Sequence, residues 1–581
     1  MIYCHCTEKV DGHSMTKITP SEALVQRLLG VFDASNEGLW YMGTDGAITF
    51  YNPAFYDQFD LDMQNVTLDD WLGLVHPLDR KKMDAAIQDH FDFEERVTTQ
   101  YRVKTVNGRY IWIQGTGVVK KERDQEYMVG SHKDISDQKL MEEYLYQAAY
   151  FDNFTGLFNR KKLIVDIDDI SNQTIKTIFY LSIENVKSYI NQYGDSILDD
   201  VINHVIGSFN AFSSYDCHFY RVGTDEFAVL LNEDLTDNEV KLLCSNCIAK
   251  YNQLSKEDGL LYSDELSIGA YRFVPKEMPA QNIIRWASRT CEYAKAKLDE
   301  RWVICDEEVK SQVERFFFIE RELKQVIANK ALSVKYHPIV SVADESIVSF
   351  EALVRWNSEE FGEIYPNEFI PIAEKKGLIF DLGCVVLEKA CDFIRQYNSV
   401  REKNIRINVN VSVLQLLKSN YIDSVKNIVK RSGIPENWVV LEITETVILD
   451  GAGRAKTQIE ELRKLGYHIA LDDFGAGYSS LNSFFTLALD QIKIDRVLTC
   501  SAMESNEPLN YLKFILQMCH ENGVNVVVEG IETKEMMLKL VEAGLSILQG
   551  YWFSMPLEEQ DALAFDVDWE SVRSSIMMLS E

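Results

Sequence analysis

From about Val313 to Phe565 the chain repeats one pattern, a short apolar run followed by a helix-length amphipathic stretch. The runs are VKYHPIV, IVSFEALVRW, IRINVNVS, VVLEITET, HIALDDF, QIKID, NVVVEGIE and SILQGYWF. Strands separated by helices pair in parallel, and parallel strands are covered on both faces, so they read as near-continuous apolar runs. The repetition predicts a (β/α)8-type barrel over 313–565. In such a barrel, polar residues at the C-terminal strand ends share one mouth. Here they recur strand after strand: Glu351, Asn410, Glu442, Asp472 and Asp473, Asp495, and Glu529. So many carboxylates at one mouth would repel one another and raise each other's pKa values unless cations neutralised them. An all-oxygen set without His or Cys suits Mg2+ or Mn2+ better than zinc. Two such ions can activate water against a phosphodiester and stabilise the leaving oxygen. Lys493, two residues before Asp495 and on the same strand face, is placed to orient that water or stabilise developing charge.

The segments EALVRW, FIPIAEKKGLI, VNVSVLQL, LEITET, LDDFGAGYSSL, KIDR, VEGIET and QGYWFSMPL together resemble the EAL-type cyclic di-GMP phosphodiesterases from end to end of this block. The resemblance implies hydrolysis of cyclic di-GMP to linear pGpG with two Mg2+ or Mn2+ ions per site. It makes Glu351, Asn410, Glu442 and Asp472 ligands of the first metal, with Asp472 also reaching the second and Asp473 serving the second. Glu529 and Asp495 complete the metal and water network, Lys493 assists the water, and Arg355, Gln549 and Leu353 hold the substrate. Glu445 and the DDFGAGYSSL segment match a loop and its anchor that couple dimerisation to metal binding, which implies a homodimer. Three positions depart from the family: His337 where Gln is usual, Ala476 where Thr is usual, and Ser546 where Asp is usual. None replaces an expected ligand, so they are expected to tune rate or affinity. His337 reads as a core or rim histidine, with a substrate contact as the alternative. The rival function is a non-catalytic cyclic di-GMP receptor. Receptors of this type usually lack a ligand or the lysine, and this chain keeps them all.

At 581 residues the chain is too long for one hydrophobic core. Ahead of the barrel block, residues 21–135 alternate in short stretches divided by turn signals at Asp45-Gly46 and Asn107-Gly108, as in an antiparallel sheet. GLWYMGTDGAITFYNPAF, VHPLD, NGRYIWIQGTG and GSHKDISDQK resemble a PAS sensor domain of α+β type. Residues 136–151 have the apolar spacing of a linker helix, and 152–306 mix strands with amphipathic helices. In that second block DNFTGLFNR, RVGTDEF and an AKAK helix resemble the GGDEF, or diguanylate cyclase, family. By position the resemblance puts Ser182 where a metal-binding acid belongs and Ile190 where a guanine-reading Asn belongs. Thr224 replaces a signature glycine, Asp299 replaces a phosphate-binding Arg, and Ser214 and Cys217 stand at the ends of a missing RxxD motif. Asp199, Gly223, Asp225, Glu226 and Lys295 match. The hairpin is expected to rely on glycine at positive φ for close approach to phosphates. A degenerate GGDEF domain without cyclase activity is therefore expected, with GTP binding left open. Residues 1–20 and 566–581 read as tails, and Cys4, His5, Cys6 and His13 read as part of a frayed end rather than a metal site.

A formal net charge of -31 argues against DNA or RNA as a partner, since phosphate backbones demand a basic face. No apolar run reaches the roughly 18 residues of a membrane span, and the start lacks a signal-peptide pattern. With 11 scattered cysteines the chain is expected to be cytoplasmic, its thiols reduced.

Overall fold

The structure, a computed structural model, describes residues 37–83, 96–122, 125–171, 174–194, 196–259, 265–297, 300–444, 452–475 and 487–577, with scattered positions between 23 and 34. It divides into two compact units between Ile304 and Cys305.

The first unit holds two sheets. One comprises β1 (Gly38–Met42), β2 (Ala47–Phe50), β3 (Val66–Thr67), β4 (Val97–Lys104), β5 (Tyr110–Glu122) and β6 (Gln125–Asp134), in the order β3-β2-β1-β6-β5-β4 and antiparallel throughout. Gly46 and Gly108 make the turns the sequence signals, at φ 76° and 78°. The alternating stretch AITFYNPAFY is not all strand. Pairing stops at Phe50, and Pro53, whose ring fixes a helical φ and whose missing N–H costs nothing there, opens the helix Pro53–Phe59.

The core of this sheet is aromatic, with Trp71 stacked on His132 at 4.5 Å between ring centres. Tyr101 Oη lies 2.8 Å from His132 Nε2. Burial pulls the His132 pKa down to about 3. An unfolded histidine titrates near 6.5, so between those values the unfolded chain binds the extra proton. The contribution is fully present above about pH 6.5 and is lost as pH falls, by up to about 1.4 kcal/mol per pH unit. The expected result is acid sensitivity of the first unit below pH 6.5 that His132→Phe reduces, read as the pH dependence of its urea midpoint.

The helix Ser136–Tyr150 follows, with no residue buried. The second sheet comprises β7 (Phe158–Asn159), β8 (Lys176–Ile183), β9 (Cys217–Arg221), β10 (Glu226–Leu231), β11 (Leu266–Phe273) and β12 (Trp302–Cys305), in the order β12-β11-β8-β10-β9-β7. Every residue of β8 is buried, which accounts for its apolar run.

The second unit is built on β13 (Ser333–Ser341), β14 (Ser346–Ser358), β15 (Gly362–Ile364), β16 (Arg406–Asn410), β17 (Val439–Thr444), β18 (His468–Phe474), β19 (Gln491–Ile494), β20 (Asn525–Val528) and β21 (Ile547–Leu548). The order β13-β21-β20-β19-β18-β17-β16-β14-β15 is closed into a barrel by pairing of β13 with β14. From β14 through β16 to β21 the barrel pairs are parallel, but β13 runs antiparallel to both neighbours. This corrects the strict alternation expected from sequence. Only a short turn, with Glu345 at φ 49°, joins β13 to β14, and a parallel crossover needs a dozen or more residues. Ser546 takes part through its carbonyl, which accepts from Val342 N at 2.8 Å. Among the described residues no helix is long and apolar enough to cross a membrane.

Candidate active site

Glu351 sits midway along β14, Asn410 ends β16, Glu442 lies in β17, Asp472 and Asp473 lie in β18, and Lys493 lies in β19. Their strands are neighbours, so the pairing alone brings these side chains to one place. The Lys493 ammonium is the centre. It lies 2.6 Å from Glu529 Oε1, 3.1 Å from Glu442 Oε1, 3.3 Å from Glu351 Oε2 and 3.3 Å from Asp472 Oδ1. Lys493 and Glu442 are each only 1% exposed.

Consecutive strand residues normally face opposite sides. Asp472 and Asp473 nevertheless line the same cavity, and the backbone explains how. Leu471 pairs with Ile492 and Phe474 with Ile494, so two aspartates stand opposite the single residue Lys493. That extra residue is a bulge, and Asp473 absorbs it at φ 56°, a left-handed conformation that Asp tolerates better than most side chains.

Each acid feels burial and its neighbours differently. Burial pushes Glu351 upward, but Lys493 and hydrogen bonds from Gln549 and Asn410 outweigh it and hold the pKa at about 2. Burial, Glu351 and Asp472 drive Glu442 well above the carboxylate range despite Lys493. Burial and the same two acids push Glu529 to about 7. Asp473 rises to about 6 through desolvation of its carboxyl, Asp472 and Asp495, although the residue as a whole is exposed. One lysine is thus too little positive charge for the cluster.

The residues fit divalent cations. One oxygen each from Glu351, Glu442 and Asp472 lies within 4.8 Å of the others. Glu442 Oε2 is buried without a hydrogen bond among the described residues, and Asp472 Oδ1 has only the shared Lys493 ammonium at 3.3 Å. Buried acceptors left in that condition are costly unless something positive meets them. Glu351 takes Asn410 Nδ2 at 2.9 Å and Gln549 Nε2 at 2.7 Å, and Asn408 donates to Glu442 Oε1 at 2.8 Å.

Beside the cluster opens a polar cavity of about 320 Å³ lined by His337, Glu351, Asp472, Asp473, Lys493 and Glu529, with Arg496, Glu532, Gln549 and Tyr551 among the rest. Arg355 and Leu353 are further along β14. Arg355 donates to Val354 O at 2.9 Å and lies 3.5 Å from Glu363. Asp495 caps the helix Arg496–Glu504 by accepting from Val497 N at 2.7 Å. Glu445 and Ala476 lie outside the described residues, as does most of the DDFGAGYSSL segment. Sequence reasoning missed Asn408, Arg496 and Glu532. Asn408 had a signal, a polar residue two positions before Asn410 and so in phase with it on one face of the strand.

Gly550 holds Gln549 in place by its lack of a side chain. A Cβ there would lie 2.2–2.6 Å from backbone atoms of Ile531, which cannot step aside. Gly550→Ala is expected to cost about 1–3 kcal/mol through overpacking and to displace Gln549. Thermal melting checks the first effect, and the Michaelis constant for substrate checks the second.

The first unit carries the other predicted site. Ser182 is buried in β8 opposite Glu226 and Ser267, its hydroxyl without a partner among the described residues. Ile190 is half-buried on the helix Val186–Tyr193, and Asp199 is exposed in the first turn of Ser196–Ser208. The β9–β10 hairpin carries Gly223, Thr224, Asp225 and Glu226, with Arg221 Nη2 donating to Thr224 O at 2.9 Å. Gly223 does not adopt a positive φ, which corrects the expected reason for glycine. A Cβ there would instead lie 2.5 Å from Glu226 Oε2. Lys295 pairs with Glu292 at 2.5 Å, and Asp299 lies outside the described residues. Among the described residues this domain brings together no group of three acids, His or Cys able to hold a metal.

Residues 48–132 match the PAS fold, 149–301 the diguanylate cyclase GGDEF domain, and 320–556 the EAL domain. An uncharacterized protein, y4lL, of Sinorhizobium fredii is 27% identical over 551 residues, covering 93% of this chain and 66% of its own length. The cyclic di-GMP phosphodiesterase NbdA of Pseudomonas aeruginosa is 27% identical over 71% of this chain and 53% of its own. The cyclic di-GMP phosphodiesterase PdeR of Escherichia coli is 27% identical over 76% of this chain and 67% of its own. A solved PaMucR phosphodiesterase, in complex with c-di-GMP, is 30% identical and covers 42% of this chain and 99% of its own, with a TM-score of 0.40. The chain thus spans about half to two thirds of the length of the first curated relatives it matches.

Proposed function

The chain belongs to the PAS–GGDEF–EAL proteins, and on that footing we propose that its barrel domain hydrolyses cyclic di-GMP to linear pGpG. The observation that carries the reading is the single Lys493 ammonium shared by four carboxylates, of which Glu442 keeps a buried oxygen that lacks a hydrogen bond among the described residues. Glu351, Asn410, Glu442 and Asp472 would hold one Mg2+ or Mn2+ ion, and Asp472 with Asp473 a second. Two bound ions supply a nucleophilic water at neutral pH and charge stabilisation on the attacked phosphodiester. Lys493 holds the attacking water in line and offsets negative charge as the P–O bond breaks. Glu529, whose Oε1 lies 2.6 Å from Lys493 Nζ at the cavity wall, is placed to take the proton of that water. Gln549, Arg355 and Leu353 hold the dinucleotide, and Asp495 supports the metal and water network from its helix cap.

The GGDEF domain makes no cyclic di-GMP in this reading, because Ser182 offers no charge where a metal acid is needed. It and the PAS domain act as regulators, and GTP is the candidate effector of the former. The protein works as a homodimer. The test is one assay of the purified chain with cyclic di-GMP and Mg2+ or Mn2+, with and without GTP or a chelator. Linear pGpG that vanishes with chelator is expected, and none at all would favour the receptor. GTP with Mg2+ alone is expected to give no cyclic di-GMP, and clear turnover would refute the assignment of that domain.

A further inference from the structure

We propose that His337 is a positioning residue that fixes the side-chain amide of Gln549 and, through it, the carboxylate of Glu351. The proposal rests on the reading of Glu351 as a metal ligand.

His337 is 8% exposed and is the register partner of Glu351 across β13 and β14. Its Nε2 lies 3.0 Å from the Ser554 carbonyl, which can only accept, so Nε2 carries the hydrogen. Its Nδ1 faces Gln549 Nε2 at 2.9 Å, and an amide nitrogen only donates, so Nδ1 presents its lone pair. The same Gln549 nitrogen donates to Glu351 Oε2 at 2.7 Å. Both amide hydrogens are thereby committed. Turning the amide over would set its oxygen against the imidazole lone pair and the carboxylate together, so His337 removes one of the two orientations open to Gln549. Asn410 holds the other oxygen of Glu351 at 2.9 Å. The carboxylate is therefore gripped from both sides, and His337 backs one of the grips.

The position needs an acceptor toward Gln549 and a donor toward Ser554. Glutamine supplies both, with its oxygen and its NH2. An apolar side chain of similar size supplies neither. Histidine here is then an equivalent solution to one geometric requirement rather than a new substrate contact.

The experiment measures Mn2+ binding to the full chain by equilibrium dialysis, with kcat and KM for cyclic di-GMP, in His337→Met, His337→Gln, Gln549→Ala and the His337→Met/Gln549→Ala double variant. Thermal melts establish folding. Partners of metal ligands typically matter about 10–100-fold in affinity, so His337→Met is expected to weaken Mn2+ binding by about tenfold. His337→Gln should recover all but about twofold to threefold of that loss, as the same pair of bonds predicts. Because His337 acts through Gln549, the double variant should bind no worse than Gln549→Ala alone. Losses that multiply in the double variant, or a His337→Gln variant as weak as His337→Met, would overturn the proposal, as would a native chain that binds no Mn2+. A native chain that shows the expected cycle in Mn2+ binding yet hydrolyses nothing would sink the phosphodiesterase reading and leave the role of His337 standing.

Discussion

Lys493→Ala is expected to lower cyclic di-GMP hydrolysis by about 10²–10³-fold, the loss typical of one charge-stabilising donor. The variant is also expected to unfold more easily. Lys493 faces four carboxylates within 2.6–3.3 Å and is 1% exposed, so its removal leaves buried negative charge without the lysine that meets it. Breaking a buried ion pair from one side costs about 3–5 kcal/mol. Divalent cations should restore much of that loss, because they supply the missing positive charge without supplying the lysine's role toward water. The measurement is a denaturant midpoint with Mg2+ and with chelator, beside turnover in saturating Mg2+. A variant that turns over normally removes Lys493 from the mechanism. A variant equally stable with and without Mg2+ shows that the acids do not gather around positive charge as described.

Glu442→Gln should separate the same two quantities in the other direction. Glu442 accepts from Asn408 at 2.8 Å and approaches Lys493 at 3.1 Å, while its other oxygen has no hydrogen bond among the described residues. Glutamine keeps an oxygen for Asn408 and removes one charge from a place where burial, Glu351 and Asp472 all oppose it. The thermal midpoint without metal is therefore expected to hold or rise. Hydrolysis should fall by at least about 100-fold, since an amide is a far weaker partner for a hard cation. Mn2+ affinity should fall with it. A large drop in stability would show that the charged form supports the fold, and unchanged Mn2+ affinity would place the metal elsewhere.

The acids were legible because a barrel of parallel strands makes strand position equivalent to spatial position. Glu351, Glu442 and Asp472 each interrupt a largely apolar strand, and covered strands have no other reason to carry charge there. The antiparallel course of β13 was not legible, because apolar content reports burial and says nothing of direction. It follows from the length of one connection, a quantity that blurred strand ends conceal. The helix at Pro53 was missed because alternation persisted into it. Asp495 stands in the expected motif and its Oδ1 also caps the helix Arg496–Glu504, a second use that a motif does not announce. The partnership of His337 with Gln549 joins residues more than two hundred positions apart and is visible only once the barrel closes.

The bulge at Asp473 also bears on how such a site can be lost. Two aspartates share a mouth only because the strand carries one residue more than its neighbour needs. Deleting either would let the strand relax into unbroken pairing, with its backbone less strained than before. The chain would stay folded and give up one carboxylate in a single step. Loss of one acid is thus a downhill path for this strand, and regaining it would require reinserting a residue that the relaxed strand resists.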